Sequence, residues 1–478
     1  MLWLCLYFPQ LPLEIHTRAQ AGSSPWAITH GKGTRQTILL CNAAAASCGI
    51  RPGMAPGAAL ALSAALQLRP RDDRAERQAL GSLAAWAGQF TSLVSLLPPQ
   101  ALLLEIEGSL SFFRGLEALL RRVDRRTAQL GYVSQSGVAP TPLGAWLLAR
   151  ARITTPLTRI DDLQTALRDL PLALLGLEDK LTHILEGLGL RSLGDVLRLP
   201  RAGLARRFGP ALLDTVDRLL GRRADPREPY VPPPRFERQL LLPVETCERE
   251  ALLFPARRLL LELAGFLIAR QAGTQQLQWT FSHHRRPATH ITLGLAAASR
   301  DASHLLKLLR ERLTRTALAH PVEAIVLRVT DLRPLHPRAL RLDGAQDAQA
   351  EDWPQLVETL RARLGDAAVR GLQCFPDHRP EQAWRSAPPD APGPLLPPLM
   401  RPLWLLPEPV ALKSREGVPY LDERLTIETG PERLESGWWD GGDMARDYFV
   451  ASDGTHSRYW IFQERHGARR WFLHGLFA

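Results

Sequence analysis

The acidic residues that could hold a divalent cation are few and thinly spaced. Glu105 and Glu107 stand two residues apart at the end of an apolar run, so strand periodicity puts both carboxylates on one face. Glu14 is the nearest acidic residue to the first apolar run, Trp3-Leu4-Cys5-Leu6-Tyr7-Phe8. Such oxygens suit hard cations, and two ions held together would support phosphoryl transfer. Three other motifs have suggestive composition. Gly31-Lys-Gly-Thr-Arg35 lacks the spacing of a phosphate-binding loop and reads as a hairpin turn. His283-His284 precedes Arg285-Arg286 with no further metal ligand at a supporting spacing, and also reads as a polar turn. No Gly-x-Ser-x-Gly element or Cys–His nucleophile pair supports a hydrolase.

The elements able to position these groups are alternating strands and helices. Strands are expected at Trp3–Phe8, Gln36–Leu40, Leu102–Ile106 and Val133–Val138. Helices are expected over Asn42–Cys48, on to about Leu66, and over Asp72–Phe90, Gly108–Leu130 and Leu143–Ala151. Gly49-Ile50-Arg51-Pro52-Gly53 punctuates the Ala-rich stretch as a turn.

At 478 residues the chain has room for several domains, and its net charge of +10 favours a polyanionic partner. The basic residues are mostly arginine and are spread along the chain, so no single tail accounts for them. Cys5, Cys41, Cys48, Cys247 and Cys374 form an odd, scattered set without a Cys-x-x-Cys pair. That pattern excludes a disulfide framework and a zinc finger, and fits a reducing cytoplasm. The first apolar run is only about eight residues long and lacks a basic flank, so it reads as a strand and not a signal peptide. No stretch approaches the ~20 apolar residues of a membrane span.

Three motifs then carry a resemblance. Asn42-Ala-Ala-Ala-Ala-Ser-Cys-Gly-Ile-Arg-Pro-Gly-Met54 is similar to the fingers motif of Y-family, translesion-type DNA polymerases. Pro98-Pro-Gln-Ala-Leu-Leu-Leu-Glu-Ile106 resembles their second palm motif, and Ser136-Gly-Val-Ala-Pro-Thr-Pro-Leu-Gly-Ala-Trp-Leu-Leu-Ala149 their third. The resemblance runs over essentially the whole chain. It is strongest to the non-catalytic, polymerase-like members found in bacterial DNA-damage mutagenesis complexes.

The resemblance implies an α+β multidomain fold. Residues 1–165 would be a palm with inserted fingers at about 20–70, and residues 166–230 a helical thumb-like domain. A little-finger-like split βαβ domain would span 235–335, a linker 336–352 and a C-terminal protein-interaction region 353–478.

Carried over by position, the family's first metal-binding Asp falls at Tyr7 and a further acidic residue at Pro9. Its Asp-Glu pair falls at Gln100-Ala101, its triphosphate-binding Tyr and Arg at Ala43 and Ala46, and its Asn-Lys pair at Thr141-Pro142. The resemblance therefore implies no catalytic residues, no bound metal and no cofactor. Glu105, Glu107 and Glu14 leave open an active polymerase with displaced carboxylates, and a pure protein scaffold without DNA binding is the other alternative.

Leu175-Gly-Leu-Glu178 followed by Leu188-Gly-Leu-Arg-Ser-Leu-Gly194 reads as helix, tight turn, helix, with Arg198, Arg201, Arg206 and Arg207 as candidate phosphate contacts. Glu178 stands where a second glycine is typical of such hairpins. Beyond Pro232-Pro-Pro234, a β-α-β-β-α-β order is expected. It runs through strand 238–242, helix 251–270, strands 276–282 and 290–295, helix 302–318 and strand 324–330. Leu277, Trp279 and Phe281 should share its buried face, and Arg235, Arg238, Arg285 and Arg286 are candidate DNA contacts.

Near the linker the resemblance implies a sliding-clamp-binding peptide, but Gln346-Asp-Ala-Gln349 lacks hydrophobic anchors and Gln239-Leu-Leu-Leu-Pro243 reads as a paired strand. Seven of the twelve tryptophans lie from Trp353 onward. Trp438, Trp439, Trp460, Trp471 and Phe477 are the candidate partner contacts, since aromatic side chains favour interfaces. The implied partners are primer-template DNA, a RecA-fold protein and an error-prone replicative-type polymerase, with no membrane.

Overall fold

The computed structural model describes residues 1–19, 24–335, 348–389, 391, 393 and 401–477. It shows the expected α+β multidomain architecture, divided into compact units of residues 1–363 and 364–478.

The first unit is organised on a four-stranded antiparallel sheet ordered Val94–Leu97, Ala101–Glu105, Trp3–Tyr7, Gln135–Ala139. These strands read as nearly continuous apolar runs because both faces are covered. Leu4, Leu6, Leu102 and Leu104 face Leu83 and Trp86 of helix Asp73–Ala87 and Leu119 and Val123 of helix Leu116–Leu130. The alternate residues Trp3, Cys5, Ala101 and Leu103 face helix Pro142–Arg150 and the helices that follow it. Strand and helix meet closely at Gly137, where a Cβ would stand 2.3 Å from the Ala145 carbonyl oxygen.

The inserted Ala-rich region carries a three-stranded sheet as well as its short helices. Trp26–His30 lies between antiparallel Thr37–Cys41 and parallel Gln67–Pro70. Asn42 caps helix Ala43–Ser47 by accepting from Ala45 N at 2.9 Å, and its amide donates to Ser24 O. The Gly31–Arg35 segment connects the first two strands, as expected of a hairpin turn.

Helices from Ile160 to Leu219 build the thumb-like region. Within it, helix Asp179–Gly187 and helix Leu193–Leu197 flank a tight turn, and Ser192 and Asp195 close a reciprocal capping box. Residues 236–335 follow the expected β-α-β-β-α-β order. The sheet is fully antiparallel, ordered Arg286–Ser299, Ala272–His283, Val322–Val329, Phe236–Thr246. Of Gln239–Pro243, Gln239, Leu240 and Leu241 are indeed paired in the strand Phe236–Thr246, and Leu242 and Pro243 fall in its bulge. Leu277, Trp279 and Phe281 are buried beneath helices Arg249–Ala269 and Ala302–Arg315.

Helix Arg249–Ala269 also packs on the palm helix Asp73–Ala87. Contact is close at Gly265, where a Cβ would collide with the Trp86 ring at 2.3 Å. At this seam Arg18 and Glu262 form an ion pair with side chains 5% and 4% exposed. Around them stand Glu14, Tyr132, Arg238 and Arg258. Burial lifts the Glu14 carboxyl to about 7, against the hydrogen bond from Val133 N and the nearby Arg18 and Arg258. Burial lowers Arg258 to about 10 and raises the Tyr132 phenol.

Residues 336–347, most of the expected linker and the start of the Gln346 motif, lie outside the described residues. Helix Ala348–Leu364 begins in the remainder of that span and lies, up to Arg363, within the first unit, where Glu358 accepts from Ala296 N and meets His304.

The second unit contains a six-stranded antiparallel sheet, ordered Val418–Tyr420, Trp404–Arg415, Trp471–Leu476, Arg458–Glu464, Met444–Ser452, Thr426–Ser436. A hairpin of Gly371–Cys374 and Trp384–Ala387 accompanies it. Tyr448, Trp460 and His474 stack in the interior, the first two rings 4.1 Å apart and the imidazole 5.7 Å from each.

Candidate functional site

Antiparallel register sets Tyr7 directly opposite Ala101 on one side and Gln135 on the other. Phe8 N donates to Gln100 O at 2.8 Å, so Tyr7, Gln100 and Ala101 meet at one end of the palm sheet. Their phenol, amide and methyl groups offer no carboxylate to a divalent cation. Ala101 is 1% exposed and Tyr7 is half-buried against the helical layer beyond.

The three acidic residues that might have substituted do not converge. Glu105 Oε1 accepts backbone N–H groups of Leu2 at 3.4 Å and Glu107 at 3.2 Å. Glu107 pairs with the Met1 ammonium at 2.7 Å, and Glu14 Oε1 accepts from Val133 N at 2.7 Å in the seam.

The other positions aligned with family motifs serve local structure or face solvent. Ala43 and Ala46 are exposed on their short helix. Thr141 caps helix Pro142–Arg150 by accepting from Gly144 N and donates to Leu219 O at 2.8 Å, tying palm to thumb.

The candidate DNA-contact arginines divide into two groups. Arg206 and Arg207 are exposed beside an apolar groove of 580 Å³ floored by Leu190, Leu199 and Leu204. Arg235 is also exposed, as are Arg285 and Arg286 on the hairpin turn after His283, where Arg285 adopts φ 51°. None of these five has a carboxylate partner within ion-pair distance among the described residues. The rest are engaged. Arg198 reaches Asp195 at 3.3 Å, and Arg201 grips Asp217 at 2.6 and 2.7 Å. Arg238 turns inward, donating to Glu237 O at 2.7 Å with its Nε 4.0 Å from Glu262.

The aromatic candidates of the second unit also separate. Trp438 and Trp439 are 77% and 59% exposed, edge-to-face at 5.6 Å. Their loop is braced by Arg379, which bonds both carboxylate oxygens of Asp440 and lies over the Trp439 ring. Trp460 and Trp471 require a correction: both are buried, because their strand positions point into the sheet's packed faces. Phe477 is half-buried against the cluster holding Trp460.

Two groupings escaped the sequence reading. His284 lies with Glu245 and Glu323, their donor atoms all within 4.8 Å, because three strand ends converge there. This exposed group is the one such cluster of potential metal ligands among the described residues. The seam around Arg18 and Glu262 was the other. Its signal in the sequence is one acid inside Leu259-Leu260-Leu261-Glu262-Leu263.

Residues 13–150 match the model of the impB/mucB/samB family. Across 460 residues the chain is 29% identical to Protein ImuB of Caulobacter vibrioides (strain NA1000 / CB15N), covering 90% of this chain and all of that protein. It is also 29% identical over 202 residues to DNA polymerase IV of Pseudomonas entomophila, covering 41% of this chain and 57% of the relative. Among solved structures, DinB from Sulfolobus solfataricus is 17% identical with a TM-score of 0.39, covering 70% of this chain and all of that one.

Proposed function

From a chain similar to ImuB along nine tenths of its length, and with an impB/mucB/samB segment at its core, we propose a non-catalytic Y-family polymerase homologue. It binds primer-template DNA and scaffolds an error-prone translesion synthesis complex in the SOS response to DNA damage. The observation that carries this reading is the meeting of Tyr7, Gln100 and Ala101 at one sheet end. These are the positions where active relatives are expected to hold their metal-binding carboxylates. Two cations cannot be seated there without anionic oxygens, so nucleotidyl transfer has no means of stabilising its developing charge. The dispersal of Glu14, Glu105 and Glu107 disfavours an active polymerase with displaced ligands.

DNA is held by arginines of the thumb-like and little-finger-like domains, principally Arg206, Arg207, Arg235, Arg285 and Arg286. Such phosphate contacts make affinity salt-dependent and weakly selective for sequence. The second unit recruits protein partners, an ImuA-like RecA-fold protein and an error-prone replicative-type polymerase, with Trp438 and Trp439 as its presented contacts. Engagement of a sliding clamp would use a segment other than Gln239–Pro243, whose first three residues are paired within its sheet. The protein acts in the cytoplasm at the nucleoid, and no helix among the described residues is long and apolar enough to cross a membrane.

The test pairs primer extension with DNA binding on the purified chain. Magnesium should support no extension, whereas primer-template affinity should fall by orders of magnitude between about 50 and 200 mM salt. Extension abolished by Glu105→Ala would overturn the non-catalytic assignment. Absence of primer-template binding at low salt would leave a scaffold that never meets DNA.

A further inference from the structure

A cleft of 570 Å³ opens where helix Leu116–Leu130 of the palm meets helices Arg249–Ala269 and Ala302–Arg315. Leu261, Ala264 and Ile268 lie on its floor at spacings of three and four along one helix, joined by Leu306 from the next. All four are half-buried, so the floor keeps aliphatic surface in contact with solvent. Around it stand Arg126, Arg257, Arg300, Lys307 and Arg310, supplied by three separate segments.

These cations are poorly neutralised. The one acidic residue lining the cleft, Asp301, has Oδ1 engaged by Ser303 N at 2.8 Å and His304 N at 3.4 Å as the cap of its helix. Arg310 pairs with Glu250 at 3.0 Å, and Arg126 donates to Gln89. Arg257, Arg300 and Lys307 have no carboxylate partner among the described residues.

We infer that this cleft docks an acidic amphipathic helix from a partner protein. The aliphatic stripe along helix Arg249–Ala269 matches the i, i+3, i+4, i+7 apolar face of such a helix. The surrounding cations complement acidic residues on its flanks and orient it in the groove. Single-stranded nucleic acid fits less well, because strand-binding grooves stack bases on exposed aromatics and the one aromatic here, Trp86, is buried. The inference is independent of catalysis and of primer-template binding, which concern other surfaces.

The test uses the full-length chain and fluorescence anisotropy of a labelled model peptide helix with leucines at i, i+3, i+4 and i+7 and glutamates elsewhere. A peptide of the same pattern with lysine in place of glutamate, and an unlabelled oligothymidylate competitor, complete the set. The acidic peptide should bind saturably with a Kd of roughly 1–100 μM. The double variant Arg257→Glu/Lys307→Glu should weaken it at least about tenfold at unchanged Tm, since both side chains are on the surface. Floor substitution Ala264→Glu should weaken it likewise. Equal binding of the lysine peptide, or indifference to these substitutions, would overturn the inference. Displacement by oligothymidylate with the same sensitivity to the substitutions would do so too, by making the cleft a phosphate site. Self-association of the wild-type chain that Arg257→Glu/Lys307→Glu abolishes would assign the cleft to a second copy instead.

Discussion

The sheet end at Tyr7 and the seam at Arg18 differ in the charge they carry and in how far it is buried. The first joins a phenol, an amide and a methyl group, none of which carries charge. The second buries an ion pair together with Glu14, Tyr132, Arg238 and Arg258, and Glu262 Oε2 and Arg18 Nη1 have no hydrogen-bond partner there. Buried charge in this region of the molecule therefore lies where helix Arg249–Ala269 packs on helix Asp73–Ala87. Desolvation makes such a pair a weak source of net stability, but one whose halves cannot be separated cheaply.

The largest expected effect comes from breaking the seam. Arg18→Met or Glu262→Leu alone should destabilise the first unit by ~3–5 kcal/mol, because each leaves a buried charge without its hydrogen-bonded partner, with only the longer-range Arg238 or Glu14 beside it. The double substitution should recover most of that loss in urea denaturation, and additive losses would contradict a coupled pair.

Next comes the pH response of Glu14. Its folded pKa of about 7 lies above the 4.5 of a solvated glutamate, so the folded state binds the extra proton between those limits. That contribution is fully present below pH 4.5 and is lost as pH rises towards 7, a slope worth about 3 kcal/mol that Glu14→Gln should abolish. His474 in the second unit has the opposite sign. Burial lowers it to about 4 from 6.5, so its contribution is present above pH 6.5 and is lost as pH falls towards 4. Unfolding of the two units monitored separately across pH 4–8 should show the two slopes opposed, and parallel slopes would refute the assignment.

A smaller effect tests the neutral sheet end. Installing carboxylates by Tyr7→Asp with Ala101→Glu should cost roughly 2 kcal/mol at pH 8 and less at pH 5, where buried acids protonate. Smallest of all, millimolar magnesium should shift the wild-type urea midpoint by less than ~0.5 kcal/mol equivalent, since a tight site would stabilise by linkage. A larger shift would show that cations are seated after all.

Much of the scaffold was legible because its signals are local. The alternation of Leu277, Trp279 and Phe281 gave the buried face of the little-finger-like sheet, and the turn at Gly189 gave the thumb hairpin. The strand Gln67–Pro70 was missed because four residues ending in proline become a strand only through parallel pairing with Trp26–Thr29, some forty residues earlier. The site was half legible for the same reason. The resemblance of the palm motifs placed Tyr7 with Gln100 and Ala101, whereas the pairing register itself is set by contacts between strands about a hundred residues apart. Which arginines stay free depends on partners remote in sequence, as Asp217 is from Arg201 and Glu262 from Arg238. Trp438 and Trp439 sit between Gly437 and Gly441, a loop signature, whereas Trp460 lies within a continuous strand whose inward face composition alone does not reveal.

The ring stack of Tyr448, Trp460 and His474 makes the second unit its own spectroscopic probe. Chromophores 4.1 Å apart and nearly parallel couple their electronic transitions, which should give an exciton-split near-ultraviolet circular dichroism signal. Trp438 and Trp439, wet and edge-to-face, should emit at long wavelength with ready access to iodide. The stack thus reports on the integrity of its sheet, and the loop pair can be read once the other exposed tryptophans, Trp353, Trp384 and Trp404, are substituted.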